Sequence, residues 1–204
     1  MPEVRRLLPP GRLVLASHNA GKLRELRALL APRGFAVVSA GELALAEPAE
    51  TGTSFEENAA IKALASARAT GLPALADDSG LMVAALRGAP GVYTADWAMA
   101  DDGGRDYAVA MARVAREVGD NPNRRCAFVS TLALAWPDGH VQFHEGRVEG
   151  HFVHPPRGSG GFGYDPMFIP EDETRTYGEM TPEEKARTNH RARAFQAFAS
   201  ACLD

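Results

Sequence analysis

The alternation of short apolar runs with segments of helical period is the feature that most constrains the fold of this chain. Residues 13–16 form a continuous apolar run, and leucines then recur at helical spacing from Leu23 to Leu30. Pro32 and Gly34 end that helix, and residues 35–38 read as a second strand. A strand, loop, helix and strand in this order predict an α/β fold.

The later segments extend this pattern. Ser54 followed by Glu57 is a capping box, and Gly71 ends the helix that it starts. The other predicted elements are a helix over 104–118, a strand over 125–136, a hairpin turn at 137–139, a return strand over 140–153, and a final helix that starts at 181–184 and packs through Phe195, Phe198 and Cys202. The hairpin adds antiparallel pairing, so we expect a mixed sheet with flanking helices.

Size and composition favour one domain and a small ligand. With 204 residues and no repeat or long linker, we expect residues 11–204 to form a single domain and residues 1–10 a loosely ordered, untargeted extension. The net charge of −4 gives no basic surface for nucleic acid, and no apolar run approaches the roughly 18 residues of a membrane span. Two cysteines are too few for a disulfide framework, so we expect a cytoplasmic protein.

Two adjacent acids follow the apolar run 72–76. Asp77 and Asp78 come directly before Ser79 and Gly80, which predicts a buried strand that ends in paired carboxylates and a tight turn. A hard divalent cation could dock at such a sheet edge. On this motif alone, two acids in an ordinary surface turn remain an open alternative.

The first loop has the residues that hold phosphate. Residues 17–22, with the sequence SHNAGK, join a strand to a helix, so backbone amides and the helix dipole would face an anion while Lys22 adds a full charge. It is not a P-loop, which needs glycine at Ala16 and Ser or Thr at Leu23. An ordinary strand–helix connection stays open as the alternative.

A glycine cluster at residues 158–163 formally matches the dinucleotide-binding pattern. Pro166 and Pro170 follow it and prevent the helix that this pattern requires, so we reject that interpretation. A bent loop that brings backbone close to a ligand, with Phe162 or Tyr164 as a flat face for a base, remains as open as a bulged hairpin loop.

Basic residues gather near the end of the chain. Lys185, His190 and Arg191 fall within about two helical turns and would supply positive charge and hydrogen-bond donors. Such residues also form ordinary solvated helix faces. Together with the three preceding motifs, they match the requirements of a nucleotide, its phosphates and a bridging metal.

As a set, these motifs resemble the inosine-triphosphate pyrophosphatase family. The blocks that carry the resemblance are SHNAGK at 17–22, ETGTSFEENAAIKA at 50–63, LADDSGL at 75–81, GAPGVY at 88–93, GGFGYDPMF at 160–168 and K-x4-HRA at 185–192. They occur in the family's order over residues 13–198. The resemblance implies an elongated, two-lobed α/β fold around a long mixed sheet, and a homodimer.

It also implies an activity: hydrolysis of ITP, dITP or XTP to the monophosphate and pyrophosphate with Mg²⁺. Two rivals are kept, namely a related pyrophosphatase for modified pyrimidine or other nucleotides, and a nucleotide-binding regulator without turnover. A proton acceptor beside a metal argues against the regulator, since a binder has no use for one.

The resemblance assigns roles to individual residues. Asp78 would be the general base and a metal ligand, with Asp77 and Glu50 as further metal ligands, although the segment leaves Glu47 open in place of Glu50. The substrate-binding residues would be Ser17, His18, Asn19, Ala20, Gly21 and Lys22 for the triphosphate, Ser79, then Phe162, Gly163, Tyr164 and Asp165 for base and sugar, and Lys185, His190 and Arg191 for the 6-oxo edge of the purine.

Overall fold

A computed structural model describes residues 6–100 and 103–203 of the chain. Its strands are β1 (Arg12–Leu15), β2 (Ala36–Ser39), β3 (Ala74–Val83), β4 (Arg125–Ala135), β5 (Val141–Phe152) and β6 (Phe168–Pro170). Its α-helices are α1 (Ala20–Leu30), α2 (Phe55–Thr70), α3 (Tyr107–Val118), α4 (Pro182–Ala186) and α5 (His190–Cys202). Among the described residues, no helix has the length and apolar character needed to cross a bilayer.

The six strands form one mixed sheet in the order β2-β1-β3-β4-β5-β6. β1 pairs in parallel with both β2 and β3, whereas β5 and β6 are antiparallel. The predicted α/β class with a mixed sheet is therefore confirmed. The predicted hairpin is also present, since Trp136 N donates to His140 O at 2.9 Å where β4 turns into β5.

Local capping explains where the helices begin. Asn19 Oδ1 accepts from the amides of Gly21 and Lys22 at the start of α1, and Ser54 Oγ accepts from Glu57 N at the start of α2. α2 ends at Gly71, whose φ of 67° is the left-handed conformation that glycine adopts at low cost.

The chain divides into two compact units. The first holds the described parts of Met1–Asp78 and Arg191–Asp204 together with Ser130–Gly146, and the second holds Ser79–Val129, in its described part, and Arg147–His190. In the first unit, leucines of β1 and α1 pack with Phe195 and Phe198 of α5, and alanines of α2 pack on β1 and β3. In the second, α3 packs with Phe128, Phe168 and Tyr177.

Two predicted element ends were wrong. β3 does not stop at Asp77 and Asp78 but continues to Val83, and both acids are buried. A strand interior tolerates these charges because the first unit supplies cationic partners for both carboxylates. The predicted final helix is two helices, because Thr188 N bonds to Lys185 O in a tight i→i−3 turn before α5 starts at His190.

The described part of the predicted N-terminal extension is not loosely ordered. Leu8 is buried, and its N–H donates to Cys202 O at 2.7 Å. Arg6 pairs with Asp138 at 2.6 Å and lies over the ring of Trp136. Residues 1–5 lie outside the described residues.

Candidate active site

Asp77 is a buried acid of the first unit with several charged and polar partners. Its Oδ1 accepts from Ser130 Oγ at 2.7 Å, and its Oδ2 lies 3.0 Å from Arg191 Nη2 and 3.2 Å from Lys22 Nζ. Burial by itself would raise the pKa of Asp77, but the charges of Arg191 and Lys22 outweigh it and hold the pKa well below its usual range. The carboxylate is therefore permanently ionised and engaged by protein groups.

Arg191 is held at both ends by acids. It contacts Asp77 on one side and Glu25 of α1 on the other, and its side chain is 1% exposed. Sequence analysis placed Arg191 on the edge of a purine. The observed contacts show that Arg191 fixes the Asp77 carboxylate.

Asp78 has a different environment. Its Oδ1 accepts from Lys62 Nζ at 2.8 Å, while its Oδ2 is buried and has no hydrogen-bond partner among the described residues. The residue is 6% exposed, and burial raises the pKa of its carboxyl against the opposing charges of Lys22 and Lys62. A buried carboxylate oxygen without a partner suits either a proton or a hard cation.

Two lysines converge on the peptide that joins these acids. The carbonyl oxygen of Asp77 accepts from Lys22 Nζ at 3.2 Å and from Lys62 Nζ at 3.1 Å. Burial lowers the pKa of Lys22 against the attraction of Asp77. For Lys62 burial acts in the same direction, but the carboxylates of Asp78 and Glu50 outweigh it and raise the pKa.

Glu50 reaches the same cluster through Lys62. Its Oε1 lies 2.7 Å from Lys62 Nζ, and its side chain remains 36% exposed. Asn58, one helical turn before Lys62 on α2, accepts from Gly52 N at 2.8 Å and so fixes the segment that carries Glu50. Glu47, the alternative from sequence, is exposed, and no group of three or more His, Cys, Asp or Glu side chains forms a metal site among the described residues.

The first loop is organised around Asn19. Its side chain caps Gly21 and Lys22, while its own N–H donates to Ser17 Oγ at 3.1 Å. His18 Nε2 lies 3.2 Å from Leu45 O, and Ala20 is exposed at the start of α1. These contacts fix the residues that precede Lys22, whose ammonium lies beside Asp77.

Asp165 organises the candidate residues of the second unit. Its Oδ2 accepts from Lys185 Nζ and from Phe162 N, both at 2.7 Å. Lys185 Nζ lies 4.4 Å from the centre of the Phe162 ring, a cation–π distance. Gly161 allows this approach, since a Cβ there would lie 2.1 Å from Asp165 Oδ2 and φ is 72°.

The two aromatic candidates of this loop have different environments. Tyr164 is 1% exposed, donates to Thr94 O at 3.0 Å and packs edge-on against Tyr107. Burial raises the pKa of Tyr164. Tyr164 is therefore a core side chain without an exposed face, whereas Phe162 is half-buried.

His190 packs against aromatic side chains of the same unit. Its ring stacks on Phe128 of β4 at 4.8 Å between centroids and 16° between planes. Phe128 also packs on Phe168 at 4.5 Å. The imidazole plane is therefore set by neighbouring rings.

The structure distributes the predicted site residues between the two units. The first unit brings together Ser17, Asn19, Lys22, Glu50, Asp77, Asp78 and Arg191, and the second holds Ser79, Phe162, Gly163, Tyr164, Asp165, Lys185 and His190. Sequence reasoning missed the roles of Lys62, Glu25, Ser130 and Phe128. Two signals were available: Lys62 lies four residues after Asn58 on α2, and Ser130 interrupts an apolar strand.

Several known proteins are similar to this chain in sequence and in fold. Proteins named dITP/XTP pyrophosphatase from Rhizobium meliloti (strain 1021) and Gluconobacter oxydans (strain 621H) are 56% and 57% identical to this chain over 98% of it, covering 99% and 95% of their own lengths. A HAM1 protein of known structure from Coxiella burnetii superposes with a TM-score of 0.84 at 38% identity, over 93% of this chain and 96% of that one.

A second solved structure agrees. The nucleoside-triphosphatase / dITP/XTP pyrophosphatase from Mycobacterium abscessus gives a TM-score of 0.75 at 43% identity, over 92% of this chain and 98% of that one. The Ham1 family model matches residues 13–201. The resemblance found in the motifs is thereby confirmed, and the chain belongs to the Ham1 family.

Proposed function

We propose that this protein hydrolyses dITP, XTP and ITP to the nucleoside monophosphate and pyrophosphate, and so removes deaminated purines from the nucleotide pool. The observation that carries the proposal is the buried carboxylate of Asp78, which is flanked by two lysines and has one oxygen without a hydrogen-bond partner among the described residues. The names of relatives at 56% and 57% identity support the substrate class.

Asp78 is the proposed general base. Attack of water on the α-phosphorus requires an acceptor for the water's proton, and a carboxyl whose pKa is raised by burial is a better acceptor than an exposed one. Lys62 Nζ lies 2.8 Å from Asp78 Oδ1 and orients the carboxylate.

Lys22 and Lys62 are the proposed cations for the triphosphate. Negative charge develops on the non-bridging oxygens and on the departing pyrophosphate, and fixed ammonium groups in a water-poor site stabilise it. Their common anchor on the Asp77 carbonyl keeps them together before substrate arrives. Ser17 and Asn19 complete the proposed phosphate contacts.

Mg²⁺ is the proposed cofactor, and Asp78 with Glu50 would hold it. Carboxylate oxygens are its preferred protein ligands, and Asp78 Oδ2, which has no partner in the described parts of the chain, fits such an ion. When bound, the ion would neutralise phosphate charge. Asp77 fits this role less well than expected, because Arg191, Lys22 and Ser130 already engage its carboxylate.

Phe162, Lys185 and His190 are the proposed base-binding residues. Phe162 supplies a face for stacking, and Lys185 and His190 supply donors for a 6-oxo group. A 6-amino purine would leave such donors unpaired, which is the physical basis of discrimination by up to about 10⁴-fold. Asp165 positions Lys185 and Phe162. Ser79 and Gly163 remain proposed contacts for sugar and phosphate.

A homodimer in the cytoplasm is the proposed working form. The second unit exposes Tyr93, Met99 and Val109, apolar side chains of a kind that subunit contacts cover. Sedimentation velocity at micromolar concentration tests the assembly, and a single species of 21.8 kDa would contradict it.

A substrate panel with product analysis tests the function. The purified protein is incubated with Mg²⁺ and dITP, XTP, ITP, dATP, dGTP or dUTP, and the products are separated by anion exchange. We expect dIMP, XMP and IMP with pyrophosphate, and little turnover of dATP. Preference for dUTP would favour the pyrimidine alternative, and absence of turnover would favour a regulator.

Isotope placement tests the site of attack. Hydrolysis in ¹⁸O-water should label the monophosphate, because the proposed attack is on the α-phosphorus. Label in the pyrophosphate would contradict it.

A further inference from the structure

The ammonium of Lys62 lies between two carboxylates. Its Nζ is 2.7 Å from Glu50 Oε1, 2.8 Å from Asp78 Oδ1 and 3.1 Å from Asp77 O. A lysine ammonium has three donors, so these three oxygens satisfy it completely. Lys62 therefore occupies the space in which a cation bridging Glu50 and Asp78 would lie.

The two carboxylates that contact Lys62 carry one more charge than its ammonium offsets. Lys62 offsets one of the two carboxylates, and Asp78 Oδ2, in a residue 6% exposed, lacks a partner among the described residues. Glu50, 36% exposed, keeps the cluster open to solvent on one side. A divalent ion would supply one more positive charge than the ammonium does, and the partnerless oxygen is the ligand that it would gain.

We propose that Lys62 is a placeholder cation, which holds Glu50 and Asp78 together in the empty enzyme and is displaced when a divalent metal binds between them. This proposal rests on the function proposed above, and it deepens it by assigning a control over metal entry. Lys62 competes with the metal for the same two carboxylates.

The competition couples metal binding to nucleotide binding. A displaced ammonium on a buried stem needs new acceptors, and phosphate oxygens provide them. Metal alone therefore binds weakly, and nucleotide tightens it by giving Lys62 another partner. By linkage, metal tightens nucleotide by the same factor.

Lys22 provides the matched control. It is also a buried lysine that donates to the Asp77 carbonyl, but its carboxylate partner is Asp77, and no ion pair joins it to Glu50 or Asp78 among the described residues. Removing Lys22 takes the same charge from the same peptide without vacating the space between Glu50 and Asp78.

Mn²⁺ binding in the absence of nucleotide tests the proposal. Electron paramagnetic resonance at pH 8 measures how much Mn²⁺ stays free in solutions of wild type, Lys62→Met or Lys22→Met, and so gives the Mn²⁺ affinity of each protein. We expect Lys62→Met to bind Mn²⁺ about 10-fold tighter or more, because it removes the ammonium that occupies the space between Glu50 and Asp78. Lys22→Met should stay within about 3-fold of wild type.

A second measurement reports the coupling. With a non-hydrolysable dITP analogue, wild type should bind Mn²⁺ tighter than without it, and Lys62→Met should show a smaller gain. Lys62→Gln serves in the same assays if Lys62→Met does not fold, as judged by thermal unfolding. Unchanged or weaker Mn²⁺ binding in the Lys62 variants, or no detectable binding to them, would overturn the proposal.

Different results would contradict the proposed function and the placeholder role of Lys62. Hydrolysis of dITP by wild type tests the proposed function, and a wild type without turnover contradicts that function. A wild type that hydrolyses dITP while the Lys62 variants bind Mn²⁺ no tighter than it does contradicts only the placeholder role.

Discussion

Arg191 donates two hydrogen bonds to a single carboxylate oxygen of Asp77, from Nε at 3.1 Å and from Nη2 at 3.0 Å. Glu25 pairs with the same guanidinium, so the basic residue expected to read a purine forms the middle of an acid–base–acid row. The row fixes Asp77, whose carbonyl in turn holds Lys22 and Lys62. The arrangement of Lys22 and Lys62 therefore depends on the ion pair between Arg191 and Asp77.

Replacing Asp77 should lower the free energy of unfolding. Asp77→Asn removes the buried partner of Arg191 and Lys22, and leaving such charges uncompensated costs about 3–5 kcal/mol. Urea unfolding measures the loss. Glu117→Gln, which breaks the exposed Arg113–Glu117 pair, is the control and should cost less than about 1 kcal/mol. Equal losses in both variants would contradict a structural role for Asp77.

Glu50 and Glu47 can be separated by matched variants. Glu50→Gln should raise the Mg²⁺ concentration for half-maximal dITP hydrolysis by about 10-fold or more, the scale of a weakened metal site. Glu47→Gln should leave it near wild type, because Glu50, and not the exposed Glu47, shares Lys62 with Asp78. The reverse order would assign the metal to Glu47.

His190 should govern the choice of base. His190→Ala removes a donor held in plane by Phe128, so the ratio of kcat/KM for dITP over dATP should fall by about 10-fold or more. His151→Ala changes an exposed histidine of β5 and serves as the control. Equal loss of both rates in His190→Ala would show that this residue does not select the base.

Acid should weaken the cap of the helix that carries Lys185. The backbone amide of Thr181 and the side chain of Arg175 hold the pKa of Glu184 below its ordinary value of 4.5. A depressed carboxyl stabilises the fold above its unfolded pKa and loses that contribution as pH falls through the folded one. The drop in Tm between pH 7 and pH 4 should therefore be smaller in Glu184→Gln than in wild type; an equal drop would contradict the linkage.

Local signals were sufficient for most of the fold. Ser54 with Glu57 and Thr181 with Glu184 mark helix starts through contacts only three residues apart. Alternating apolar runs gave the α/β class, and residues 137–139 gave the hairpin. Each of these depends on neighbours in the chain, so the sequence displays them directly.

The features that could not be predicted depend on residues that are far apart in the chain. The strand continues through Asp77 because Lys22, Ser130 and Arg191, which lie 53 to 114 residues away in the chain, neutralise and hydrogen-bond its carboxylate. Tyr164 could not be distinguished from Phe162 as a face for a base, since its burial depends on Thr94, 70 residues earlier. Such partners become visible only once the chain has folded.

The rate of dITP hydrolysis by Asp78→Asn, set against wild type at saturating Mg²⁺, tests the central claim most directly. Loss of a general base should lower turnover by about 10²-fold or more, while the variant should remain folded, because the amide oxygen of asparagine can still accept from Lys62 Nζ. Turnover within a few-fold of wild type in a folded Asp78→Asn variant would remove Asp78 from the reaction and contradict the account.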